Sequence, residues 1–214
     1  MRNCILLLSF FLLASMGTQA QTAKDVFDQK TEITWLGLDF TATKIIGDKE
    51  NWSGYDPIQL FGAWNQLMIN EREKYNVAEA LHRDHVKPAL EITMDHNSAL
   101  NVTDLFADVT SNEFKLAPDI VQTIVESYNF KDYSGIGIMF IVETLDKPMK
   151  EGAFFVTFIN MNTKEVLFTE RMTNAPGGFG MRNYWASCVY NILKRIKNSQ
   201  YHTWQKKYSP SKKK

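Results

Sequence analysis

Apolar and polar positions along this 214-residue chain fall into two alternating periods. Over 32–43, Leu36, Leu38 and Phe40 alternate with Gly37 and Asp39, the period of two that turns successive side chains to opposite sheet faces. A strand is predicted there, and the β-branched and aromatic content agrees. A loop rich in Gly, Asp, Asn and Ser follows over 47–55 and ends at Asp56 and Pro57. Asp there can accept from the orphan N–H groups of a helix start, and Pro suits the first helical turn. Leu60, Phe61, Trp64, Leu67 and Met68 then recur at helical spacing, until the charged run from Glu71 to Lys74 ends the helix in solvent. A short second helix is predicted over 77–82.

Leu90, Ile92 and Met94 alternate with Glu91 and Thr93, which predicts a strand over 89–96 with one wet face. The pattern over 97–110 is ambiguous, with Val102, Leu105 and Phe106 compatible with a helical turn. A helix over 118–128 carries the stripe Ile120, Val121, Ile124, Val125 and Tyr128. Residues 135–144 are almost entirely apolar, as in a central strand covered on both faces. Strands over 154–160 and 166–172 flank turn-forming residues and read as a hairpin. After a Gly-rich loop over 174–180, a helix over 182–205 buries Trp185, Cys188, Val189, Ile192 and Ile196. The order strand, helix, strand, helix, strand, hairpin, helix predicts an α+β fold. The expected architecture is two-layer, with helices packed on one face of a mixed β-sheet.

The chain start adds a compartment. Arg2 precedes an apolar run from Cys4 to Leu13, and small and polar residues lead to Thr18, Gln19 and Ala20. That is the three-part pattern of a cleavable signal peptide, with the cut expected after Ala20. The apolar run is about half the ~20 residues that a membrane-spanning helix needs, so no stable membrane anchor is expected. The chain then divides into a signal peptide (1–20), a single α+β domain (21–205) and a basic flexible tail (206–214). A periplasmic or secreted location follows. Cys4 leaves with the signal, so Cys188 has no internal disulfide partner and is expected as a small core residue.

Formal net charge is zero, but Lys206, Lys207, Lys212, Lys213 and Lys214 gather at the end. A solvated terminus is the expectation, with weak contact to anionic lipid or nucleic acid as the alternative. No nucleic-acid partner is expected.

Candidate chemistry centres on the Gly-rich loop. Gly177, Gly178 and Gly180 let the backbone turn tightly or approach a ligand, and the following helix start, with Arg182, could hold an anion. Phe179, Tyr184 and Trp185 could line a groove or mark a partner surface. The bland reading is a strand-to-helix connection with one or two of these aromatics in the core. His82, Asp84, His85 and His96 are proper metal ligands by type, but nothing in their spacing brings them together, and no metal or other cofactor is expected. Asp39, Glu91, Asp95 and Glu143 lie on or near predicted strands; Glu143 stands out in an apolar strand and is expected at a wet strand end. No Ser sits in a nucleophile elbow.

Three segments carry a resemblance. Residues 34–40 (TWLGLDF) look like the opening strand of exported domains related to the TolB N-terminal and curli-secretion CsgG folds. Residues 156–167 (VTFINMNTKEVL) are similar to their strand–turn–strand unit. Residues 177–186 (GGFGMRNYWA) resemble a signature of uncharacterised exported proteins of Bacteroidetes-type bacteria. The resemblance spans most of 32–200 and implies a non-enzymatic part of an envelope assembly. It carries over no functional residue.

The expected function is therefore a non-catalytic exported cell-envelope protein acting through protein–protein contacts with an envelope partner. Its surface is expected at Gly177, Gly178, Phe179, Gly180, Arg182, Tyr184 and Trp185. The alternatives are a small-ligand or anion-binding protein using the same loop and helix start, and a hydrolase built on Glu143, Asp39 or the histidines. A long unpaired sheet edge would favour the first.

Overall fold

A computed structural model describes residues 21–109 and 113–210. The expected signal peptide (1–20) and the terminal Lys212, Lys213 and Lys214 lie outside the described residues. The strands are β1 (Ile33–Asp39), β2 (Lys44–Ile46), β3 (Lys87–Pro88), β4 (Phe106–Ala107), β5 (Ile136–Asp146), β6 (Glu151–Asn160) and β7 (Glu165–Asn174). The helices are α1 (Pro57–Asn70), α2 (Val77–Ala80), α3 (Leu90–Asn97), α4 (Pro118–Ser127), α5 (Met181–Arg195) and α6 (Tyr201–Tyr208).

β5 is the centre of the seven-stranded sheet. Every one of its residues is buried, which explains its unbroken apolar run. β6 pairs with it antiparallel along its length, and β7 pairs antiparallel with β6. On its other side β5 meets β1 and then β2, both parallel. β3 and β4 add two-residue parallel pairings outside these. The sheet is mixed and the class is α+β.

Alternate residues of β5 and β6 feed two cores. Ile138, Phe140, Val142, Phe154, Val156 and Phe158 face the larger one, covered by α1, α2, α5 and α6. Met139, Ile141, Phe155 and Ile159 face the smaller one, against Val121, Ile124 and Val125 of α4 and Ile92 of α3. Helices therefore cover both faces of the sheet, not one as expected. The difference lies chiefly in α4, a predicted helix whose Val121, Ile124 and Val125 line the smaller core; residues 89–96, expected as a strand, are found as helix α3 beside it. Leu90, Thr93 and Asn97 are all buried, at helical spacing. Thr93 and Asn97 are polar yet point inward, so the helical stripe was disguised as alternation.

Their task is to finish an edge. β3 pairs only with Thr34 and Trp35 of β1. Beyond that point side chains replace a strand. Thr93 Oγ1 donates to the Leu36 carbonyl. Leu38 N–H donates to Asn65 Oδ1 at 2.7 Å, and its carbonyl accepts from Asn65 Nδ2 at 3.0 Å and Asn97 Nδ2 at 2.9 Å. Phe40 N–H donates to Asn97 Oδ1 at 2.8 Å. Buried backbone groups must find such partners. Gly37 is required here: its φ is +100°, and a Cβ would stand 2.4 Å from Asn65 Oδ1.

Other starts follow expectation. Asp56 accepts from Ile58 N–H at 2.9 Å at the head of α1. The final helix begins at Met181, passes through a π-helical turn (Ile196–Gln200) and ends at Tyr208. Lys206 and Lys207, expected in the flexible tail, are thus helical. Lys207 Nζ pairs with Glu170 at 2.7 Å.

Candidate functional site

β7 ends at Asn174, and α5 starts at Met181, so the intervening loop stands where a sheet edge meets a helix start. Hydrogen bonds hold this loop. Gly177 N–H donates to Ser187 Oγ at 2.6 Å, Asn183 Nδ2 donates to the Phe179 carbonyl at 3.3 Å, and Tyr184 N–H donates to the Gly180 carbonyl at 2.9 Å. Gly178 and Gly180 have φ of +96° and +78°, conformations that L side chains rarely adopt. Between them Phe179 is 96% exposed. Tyr55, 52% exposed, borders the same shallow hollow of about 360 Å³.

The expected site residues divide. Gly178, Phe179, Gly180 and Tyr184 line the hollow. Trp185 also borders it but is buried, stacked edge-on to Tyr184 at 5.0 Å and part of the larger core, which makes it a packing residue. Arg182 is exposed and is not among the residues that line the hollow. The cation at the hollow is Lys147, whose Nζ sits 4.0 Å from the Tyr184 ring centroid. Asp48 lines the hollow too, so its charge is mixed, which fits an anion poorly.

The three histidines weighed as metal ligands do not converge. His82 Nε2 bonds the Lys197 carbonyl in the π-helical turn at 2.9 Å, and its ring lies 4.9 Å from that of His202. His85 borders a cleft with Trp35 and Tyr75. His96 joins Asp39 instead. Asp95 is an exposed partner of Lys131, and Glu91 accepts from the Tyr133 hydroxyl.

Glu143 is not at a wet strand end. It is fully buried, at a bulge of β5 between Val142 and Thr144. Arg171 Nε donates to Oε2 at 2.6 Å and Leu116 N–H to Oε1 at 2.8 Å. A buried carboxylate keeps its charge only with such partners.

The second buried carboxylate has a different circle. Asp39 closes β1, fully buried. Its Oδ1 accepts from Thr41 N–H at 3.0 Å and Thr41 Oγ1 at 2.7 Å. Its Oδ2 accepts from the Tyr128 hydroxyl and meets His96 Nδ1 at 3.2 Å. Burial, then the Asp39 charge, holds the Tyr128 phenol well above its ordinary value, so it stays a donor. His96 stacks on Tyr128, ring centroids 4.0 Å apart, and its Nε2 lies 2.9 Å from Ser127 Oγ. Ser127 had no sequence signal; it is the exposed last residue of α4, outside the apolar stripe. Asp39 and His96 were each visible, but 57 residues apart.

Cys188 is buried and donates toward the Asn174 carbonyl, and burial pushes its thiol up to about 12. It is a core group with no activating base among the described residues. No family model matches this chain, and no curated protein matches it.

Proposed function

We propose that this chain is an exported cell-envelope protein that works by binding another protein through the aromatic loop around Phe179. The carrying observation is that Phe179 is 96% exposed on a loop held by its own hydrogen bonds. Burying a Phe side chain stabilises a complex by roughly 1.5–3 kcal/mol, and a loop already ordered loses little further entropy on binding. The edge of β7 supports the same reading. Among the described residues no strand pairs with its outer side. An open edge is a template for a partner's backbone. Its ends are guarded: Gln122 Oε1 accepts from Val166 N–H at 2.9 Å, and Arg195 donates to the Thr173 carbonyl at 3.3 Å. Export rests on the pattern of the first twenty residues.

The test is quantitative capture from envelope extract by wild type, Phe179→Ala and Tyr55→Ala. Both side chains are exposed, so the variants should fold. A partner that saturates on wild type and is lost from Phe179→Ala supports the reading. Equal capture by all three defeats it.

A further inference from the structure

We propose that Asp39, His96 and Ser127 form a second working site, a carboxylate–imidazole–hydroxyl array for acyl transfer from activated carboxylic esters. It is independent of the loop around Phe179 and departs from the non-catalytic expectation.

Three elements bring the groups together: the end of β1, α3 and the last residue of α4. Their order is that of a nucleophile, its base and the group that orients the base. Asp39 is fully buried and acceptor-only, held by Thr41 and Tyr128 on both oxygens. A neutral His96 must therefore carry its proton on Nδ1, facing Asp39. Its Nε2 lone pair is then directed at Ser127 Oγ, 2.9 Å away. The stack on Tyr128 fixes the plane of the ring. The carboxylate is sealed in, the imidazole is partly exposed and the hydroxyl is exposed. Asp39 also stands at the carboxyl end of a parallel strand, where sheets of this kind place their sites.

In the reaction Ser127 Oγ attacks the ester carbonyl as His96 Nε2 takes its proton. The imidazolium gives that proton to the departing alkoxide as the C–O bond breaks. Water then attacks the acyl-serine, His96 removes its proton and returns it to Oγ, and the acid leaves. Ester and water become acid and alcohol. Ser127 otherwise donates to the Ile124 carbonyl at 2.6 Å, so it must rotate to react. It also closes α4 at the carbonyl end, where helix partial charge is negative and disfavours an oxyanion. Loss of one oxyanion donor costs roughly 10²–10³ in rate, so turnover is expected to be slow and confined to activated esters.

The experiment treats the purified chain with a fluorophosphonate, which loses fluoride as its phosphorus bonds to Oγ. The adduct is located by peptide mass mapping, and 4-nitrophenyl acetate hydrolysis is followed in parallel. The expected adduct is on Ser127, absent in Ser127→Ala, and forms about 100-fold more slowly in folded His96→Gln, the scale of a lost general base. Exposed Ser98 is the internal reference. No adduct on Ser127, or one that forms no faster than on Ser98 or in the denatured chain, overturns the proposal. Unchanged labelling of folded His96→Gln overturns it as well. The map of the wild-type adduct needs no variant to fold.

Discussion

Glu143 and Asp39 are both carboxylates buried without residual exposure on neighbouring parallel strands, yet their partners give them opposite characters. Glu143 meets a guanidinium and a backbone N–H, both permanent donors, and ties β7 and the segment before α4 to the central strand. Its circle is closed. Asp39 meets two hydroxyls, a backbone N–H and an imidazole, and through His96 its influence reaches an exposed hydroxyl. The same group in the same strand layer is an anchor where its partner is a fixed charge. Where the partners are hydroxyls and an imidazole, it becomes an orienting group.

The comparison can be broken most forcefully at Arg171. Among the described residues, replacing it with Ala leaves the Glu143 charge buried with the Leu116 N–H alone, and stability should fall by about 3 kcal/mol, read from the urea midpoint. Asp39→Asn should cost less, about 2 kcal/mol, because one polar atom becomes a donor facing donors while the hydroxyl neighbours can rotate and re-pair. The same variant removes the charge that raises the Tyr128 phenol, so the phenol's ultraviolet titration should move down. If Asp39→Asn proved costlier than Arg171→Ala, the distinction drawn between the two carboxylates would be wrong.

Cys188 extends the contrast to a buried acid with no cation. Its thiol rises from an ordinary 9.0 to about 12 because burial disfavours the thiolate. The folded state therefore holds its proton more tightly than the unfolded one. This leaves stability unaffected below pH 9 and lowers it as pH climbs from about 9 to 12. Labelling by a disulfide reagent at pH 8 should be negligible in the native protein and complete after denaturation. Smallest of all, Ser127→Ala should change stability by less than about 0.5 kcal/mol, since an exposed hydroxyl bonded within its own helix is lost.

The chain's pattern discloses the scaffold better than the sites. β5 is legible because a fully buried strand reads as an apolar run, and α1 because Asp56 and Pro57 announce it. α3 is misread because Thr93 and Asn97 turn inward to complete the β1 edge, a task known only once β3 is seen to stop at Pro88. The second helical layer was missed for another reason: the α4 stripe was legible, but not the sheet face it covers. Phe179 and its glycines are visible because three glycines in four residues must serve backbone shape. Trp185 and Arg182 sit beside them in sequence, but α5 turns one into the core and leaves the other exposed, outside the hollow. The Asp39 cluster draws on residues 39, 96 and 127, and no local spacing encodes such an approach.

The central claim is contact through Phe179, and its most direct test is the binding difference between wild type and Phe179→Ala for the partner recovered from envelope extract. Equal melting temperatures would first establish that both are folded. The account predicts a loss of about 2 kcal/mol, roughly 30-fold in Kd, as for an aromatic at the centre of an interface. An unchanged Kd would contradict it.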